Sequence, residues 1–397
     1  MAGGLGNSFA VAQTQIGLAL EPTKGTIPAA PQYMMKIKAP KYKPNLTYIP
    51  DDTLQGSMVE VYDMIPGLRY DGHGWDGFPF LDAFPLYVMG ELGSPDTMTT
   101  ASASTTLSAA AAAGATTIDV TAAVTAGTYI VIGSGATIET HLVASIATLV
   151  VTLATPLIYN QPSGATVTGL TSHKFSLANA PNTSGDQPPS LSIWDFDGDQ
   201  WRTISAAQID ELTIKGNATG LVDYTVTFFG NPAVTNATAP SVSYTAAETP
   251  PPWTVTILIG GTQIATVVDW EFSFKRGVKP IPALTGTQEY FQYFAGPLTC
   301  TAKLTFVEQT NSPYLADFLA ATKQALDVTV FDIASGNALN IHSSKCIFTT
   351  GDLDRSKEWV EVPVDVQLLP TATDATDGGV SPVAITVANS VTTQYAA

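Results

Sequence analysis

The chain has 397 residues, enough for two or three domains and a sizeable core. Charged residues are only 13% of it, about half the usual share; Thr, Ala and Gly fill the surface instead, which lowers the desolvation penalty opposing self-association. The net charge of −17 argues against a nucleic-acid clamp, which needs clustered Lys and Arg, but not against a surface that repels DNA.

Residues 1–50 are Gly/Ala/Pro-rich and read as an extended arm with room for one strand. Lys36, Lys38, Lys41 and Lys43 read as a solvated edge. The N-terminus lacks a basic start followed by an apolar core, so no secretory signal is expected. No stretch has the length and apolarity of a membrane span. In 51–96 a strand is expected over Ser57–Met64, then a Gly/aromatic/acidic loop, RYDGHGWDGFPF (69–80), then a short helix within 82–93.

Between Arg69 and Lys174 there is no Lys or Arg. Most of that gap, residues 99–171, is an Ala/Thr/Val/Gly segment whose only acids are Asp119 and Glu139. Alternating segments recur at Ile118 and Val120, 129–132, 138–143, 149–153 and 166–170, separated by GSGAT (133–137) and YNQPSG (159–164). This spacing predicts a small all-β sandwich or barrel inserted into a host domain.

The host resumes near His173. Residues 268–275, 298–306 and 360–368 alternate strictly between apolar and polar, the pattern of antiparallel strands with one wet face. Pro363 places the last of them at an edge or a bulge. A helix is expected with Ser312 as N-cap, Pro313 in first position, and Leu315, Phe318, Leu319 and Thr322 on one stripe. Residues 371–397 read as a C-terminal arm or flexible tail with a possible strand at Val383–Val387.

Little in the sequence points to chemistry. Cys300 and Cys346 lie in apolar strand-like runs and read as buried free thiols. The N-x-S/T triplets at Asn45, Asn182, Asn217 and Asn236 are expected by chance in a Thr-rich chain. DFDGD (195–199) starts like a calcium loop, but its twelfth position is Ala206, so a hairpin turning at Asp197-Gly198 is expected, with Trp194, Phe196 and Trp201 nearby. HGWD (73–76) with Asp71 puts a His near acids, yet the four glycines of 67–77 read as a mobile loop. The four histidines (73, 141, 173, 342) accompany no nucleophile elbow or phosphate-cradling loop. No enzyme activity, metal or cofactor is expected.

The host resembles the major tail tube proteins of long-tailed, siphovirus-like bacteriophages over residues 1–96 and 172–370. The resemblance is carried by EPTKGT (21–26), DDTLQG (51–56), DGHGWDGFPFLDAFPLYVMGELG (71–93), HKFSLAN…QPPSLSIWDF (173–196), ISAAQIDELTIKGNATGLVDYTVTFFGN (204–231), VVDWEFSFKRGVKPIPALTG (267–286) and AGPLTCTAKLTF (295–306). It implies an all-β host (1–98 and 172–370) with one or two short helices. The host would be a sandwich or barrel whose sheets join a ring barrel, usually of six copies. Rings would stack head-to-tail into a tube that conducts DNA without binding it specifically, with unpaired edges as joints. It further implies a virion protein made in the bacterial cytoplasm, with tape measure, tail terminator and distal tail proteins as partners. Immunoglobulin-like or adhesin-like β domains are inserted in such phage proteins, so 99–171 is expected to decorate the outside. If the polar faces point inward, Asp269, Glu271, Glu361 and Asp365 line the lumen, although such acids can equally face outer solvent. Tyr70, Asp71, His73, Trp75, Asp76 and Phe78 are candidates for an inter-ring or inter-subunit loop, together with both termini. Rival readings are a secreted adhesin or surface-layer subunit, a head decoration protein, and a carbohydrate-binding virion protein using Trp75, Trp194 or Trp201.

Overall fold

The computed structural model describes residues 10–395 apart from 94–95, 180–186, 237–238, 242–243, 311 and 376–379. The start of the expected N-terminal arm, Asn182 and parts of the expected tail lie outside the described residues. Among the described residues strand predominates and two short α-helices interrupt it, so the fold is all-β.

The first elements are β1 (Gln15–Leu20), β2 (Tyr33–Met35), β3 (Ile37–Asp51), β4 (Asp63–Gly77), α1 (Pro85–Leu92) and β5 (Thr97–Thr99). Six short strands follow: β6 (Thr105–Thr106), β7 (Thr117–Asp119), β8 (Tyr129–Ile132), β9 (Glu139–Ala147), β10 (Val150–Leu153) and β11 (Thr166–Gly169). Next come β12 (Thr171–Ser176), β13 (Leu191–Phe196), β14 (Trp201–Asn217), β15 (Asp223–Gly230), β16 (Val234–Asn236), β17 (Thr256–Ile259), β18 (Thr262–Gln263), β19 (Val267–Lys275), β20 (Lys279–Ile281) and β21 (Gln292–Phe294). The last are β22 (Thr299–Val307), α2 (Tyr314–Leu319), β23 (Lys323–Phe331), β24 (Ala338–Phe348), β25 (Glu361–Leu368) and β26 (Ala384–Asn389).

Strand β14 belongs to two sheets. Its first half pairs with β13 and β16, and its second half with β15 and β19. From there the neighbours run β3, β4, β15, β14, β19, β22, β25, β24, all antiparallel. Strand β24 lies against β23 on one edge and, on the other, against β26 and then β25. The expected alternation appears in β19, β22 and β25: Trp270, Phe272, Phe274, Ala302, Leu304, Phe306, Val362, Val364 and Val366 are buried in one core. Pro363 pairs with Thr305 on one side, and β24 reaches only Val366 on the other, so its missing N–H faces an open edge. Cys300 and Cys346 are free thiols in this core, and burial pushes the Cys346 thiol up to about 12, leaving it unreactive.

Several expectations are corrected. Residues 69–80 are no loop: most of them belong to β4, paired with β3 and β15. The glycines that suggested mobility mark close approach instead. A Cβ on Gly74 would sit 2.9 Å from the Val226 carbonyl oxygen, and one on Gly77 would sit 2.8 Å from the Tyr224 ring. The expected strand Ser57–Met64 is mostly the hairpin tip, and strand begins only at Asp63. The N-terminal arm holds β1, β2 and β3 rather than one strand. The DFDGD turn spans 197–200, because Phe196 pairs with Trp201 and the Asp197 carboxylate accepts from the N–H groups of Asp199 and Gln200. Helix α2 begins one residue later than expected. Pro313 is its N-cap, and the Ser312 hydroxyl turns back to Gln309. Tyr314 is its buried residue, while Leu319 is exposed. The possible strand at 383–387 is β26, which is a rung of the host sheet between β12 and β24.

Residues 105–169 form a separate six-stranded sheet in the order β6, β11, β8, β9, β10, β7. A bridge from Leu107 to Val120 closes this sheet on itself as a small barrel, with Ser108 N–H donating to the Asp119 carbonyl and Thr121 N–H to that of Thr106. Leu107, Ile118, Ile130, Val143, Val151 and Val167 fill it. Glu139 is fully buried inside. Burial would raise its pKa, but hydrogen bonds from His141, Gln161 and the Ile158 N–H outweigh that and hold it low.

The barrel does not hang free. Tyr129, Val131, Ile138 and Leu170 pack on Phe331, Ala338 and Ala388 of the host. The Thr140 hydroxyl donates to the Gly336 carbonyl at 2.7 Å. Gly336 has φ +73°, and a Cβ there would lie 2.6 Å from Val131. Val131→Asp places an unpaired charge in this contact. We expect a loss of about 3 kcal/mol in chemical denaturation and new protease cleavage between residues 100 and 104.

Candidate functional site

Two surfaces have the geometry of interaction sites, and a buried polar corner sits at the bend of β14. The first surface is a trough of ≈ 490 Å³ over the polar faces of β14, β19, β22 and β25. Cross-strand register aligns Lys215, Glu271, Lys303 and Asp365 in one row, an arrangement of alternating sign that stabilises the sheet. Asp223, Asp269 and Asp352 add to the lining, so five acids face two lysines. Burial, helped by the neighbouring Glu271, raises the Asp269 carboxyl above its ordinary value.

Of the four acids expected on this face, Asp269, Glu271 and Asp365 are there. Glu361 is not. It is buried, and it takes both the Lys357 ammonium, at 2.8 and 2.9 Å, and the Trp359 indole N–H at 2.8 Å. Strand parity put Glu361 on the polar face, but the preceding turn folds over it. Those hydrogen bonds hold its carboxyl below the usual range.

The second surface is the β3–β4 hairpin. Outward of Arg69 the two strands pair only with each other among the described residues. Tyr48, Ile49, Met64 and Ile65 are exposed along it, and Leu54 (100%) and Met58 (103%) are bare at its tip. The residues expected to form the contact loop lie at the other end, in packed structure. Tyr70 meets the Phe229 and Tyr290 rings at 5.7 Å. Asp71 accepts from Tyr42 Oη (2.6 Å) and Ala233 N–H (2.7 Å). His73 Nε2 lies 3.2 Å from Asp195. Trp75 donates to Tyr87 Oη, which meets Tyr224 Oη at 3.0 Å. Asp76 accepts from Thr225, and Phe78 lies under Lys38 Nζ.

The corner is built by Glu21, whose role the sequence reading missed. One carboxylate oxygen accepts from Ser192 Oγ (2.7 Å) and Ala206 N–H (2.8 Å), and the other from Ser190 Oγ (2.5 Å) and Gly25 N–H (2.6 Å). Ala206 is where β14 changes sheets, and its φ of 52° is strained for a residue with a Cβ. The signal was present in the three motifs around residues 21–26, 188–193 and 204–207, but nothing in their spacing tied them together.

The C-terminal residues are pinned as well. His173 bridges Asp96 (2.6 Å) and the Val391 carbonyl (3.0 Å), and Tyr395 donates to the Asp82 carbonyl. His342 faces Asp327 at 2.6 Å and Asp374 at 3.3 Å. Trp75, Trp194 and Trp201 are buried, so none offers a face for sugar stacking. No group of three or more potential metal ligands occurs among the described residues, and no helix there is long and apolar enough to cross a membrane.

An all-β protein whose titratable side chains are engaged in holding strands together, with a bare apolar hairpin at one end of its sheet and a polar trough at the other, has the features of a structural protein. The more particular assignment comes from comparison: a family model described as Phage tail tube protein matches residues 12–392, and the chain belongs to that family. No curated protein matches it. Membership makes it a virion structural protein of the phage tail with a non-enzymatic role, assembling with itself and other tail proteins.

Glu21→Gln turns two N–H donors toward groups that themselves donate. We expect a loss of about 3 kcal/mol in urea denaturation, with Glu21→Asp recovering part of it. Hydrogen bonds donated to the Asp327 and Asp374 carboxylates raise the His342 imidazole from 6.5 to about 9. Its contribution to stability is therefore complete below pH 6.5 and lost as pH rises through 9. His342→Gln should melt below wild type at pH 6, with the two curves converging by pH 10.

Proposed function

We propose that copies of this chain close into rings, six to a ring as the resemblance implies, and that the rings stack head-to-tail into the tail tube. The observation that carries this reading is the hairpin tip. Leu54 and Met58 stand in solvent beyond a two-stranded extension. A monomer gains nothing by exposing such a patch, whereas a heterologous, repeating contact buries it. The low charge density of the chain lowers the penalty for the rest of the interface.

The trough is our candidate for the lumen wall, with Asp269, Glu271 and Asp365 as lining residues. Its excess of acids over lysines would keep DNA phosphates sliding without a grip. Residues 99–171 act as an inserted domain on the outside of the tube. The tape measure, tail terminator and distal tail proteins are the expected partners of a siphovirus-type tail.

Negative-stain electron microscopy of concentrated protein tests the reading. Wild type should give rings or hollow tubes, and Leu54→Asp/Met58→Asp should stay folded with an unchanged melting temperature yet form neither. Uniform wild-type monomers at every concentration would sink the proposal. Tubes formed by the double variant would remove the hairpin from it.

A further inference from the structure

A cleft of ≈ 380 Å³ opens where the inserted barrel meets the host. We propose that it binds a neutral saccharide. Its volume falls within the ~300–1,000 Å³ of small-molecule sites, which favour domain boundaries. The barrel contributes Leu142, Thr155 and Ile158 to one wall, and the host supplies Trp253, Asp327 and Asn340 to the other.

The lining specifies the ligand chemistry. Trp253 is 52% exposed, yet its ring packs edge-on against Phe331 with centroids 6.4 Å apart. A held, half-exposed indole presents an apolar face of the kind that the C–H face of a sugar ring covers. Beside it, Asp327 Oδ1 is bonded to His342 Nδ1, and Asn340 Nδ2 donates to Thr329. Among the described residues their other side-chain oxygens accept no hydrogen bond, so both are positioned to receive hydroxyl donors. His141 is committed on both nitrogens, to Thr155 and Glu139.

Charge excludes other ligands. No Lys or Arg lines the cleft, and Asp327 is ion-paired with His342, so sialylated, uronic or phosphorylated glycans would find no free cation to pair with. A purely apolar ligand would strip water from Asp327 without replacing its hydrogen bonds. A neutral ring with one apolar face and a rim of hydroxyls satisfies both walls.

The test is titration of the full chain with neutral oligosaccharides built from glucose, galactose, mannose and N-acetylglucosamine, alongside sialylated and phosphorylated counterparts. Indole fluorescence and saturation-transfer NMR give the readout. Of the six tryptophans, Trp253 and Trp359 are the exposed ones, so Trp359→Phe serves as the control.

We expect saturable binding of at least one neutral oligosaccharide at millimolar concentration. Trp253→Ala should weaken it roughly tenfold or more, Asn340→Ala should weaken it in a folded background, and Trp359→Phe should leave it unchanged. Absence of saturable binding by any neutral saccharide overturns the proposal. So does preference for the acidic panel, or binding that survives both cleft substitutions.

Discussion

The fold turns on one carboxylate. Strand β14 is shared by two sheets and must bend at Ala206, where its N–H leaves the ladder. A buried amide without an acceptor costs about 1–3 kcal/mol, and the strained φ adds to that. Glu21 supplies the acceptor, and the same group gathers Ser190, Ser192 and the turn at Gly25. Beyond this corner β14 runs on into the sheet of β19, β22 and β25, whose outer faces make the trough. A neutral side chain cannot receive four donors at once, which is why an acid is buried there.

Histidine has a related task. All four histidines lie against carboxylates: His73 on Asp195, His141 on Glu139, His173 on Asp96, and His342 on Asp327 and Asp374. Three of the pairs are buried, and one of them, His73–Asp195, ties β4 to β13, which do not pair with each other among the described residues. Acids outnumber Lys and Arg by 34 to 17, and imidazoles supply internal donors without the long stems of lysine. The residues that looked like chemistry in the sequence are used for cohesion.

What could be read from the sequence depended on periodicity. Strands β19, β22 and β25 were legible because one face is core and the other wet, and β7 to β11 were legible from their punctuated alternation. Strand β4 was not, because Asp71, His73 and Trp75 alternate with glycines, which signal a loop unless the crowding from Val226 and Tyr224 is known. Glu361 was misplaced because parity reports only the strand's own pleat, and the turn carrying Lys357 and Trp359 is a tertiary fact. Glu21 was invisible as a hub because three of its four donors are some 170 to 185 residues away. The exposed hairpin tip could not be located until the strand boundaries were known.

The attachment of the barrel has a topological consequence. Strands β5 and β12 pair antiparallel, with Thr99 opposite Ser172, so the points where the chain leaves and rejoins the host are ladder neighbours. To the host, some seventy residues occupy the place of a hairpin turn. Lengthening a loop between fixed ends costs little chain entropy, about 0.6 kcal/mol per doubling, and less still for an insert that folds with its own ends together. The length of this segment can therefore change without moving the ends of β5 and β12, provided that what stands there still covers Phe331 and its neighbours.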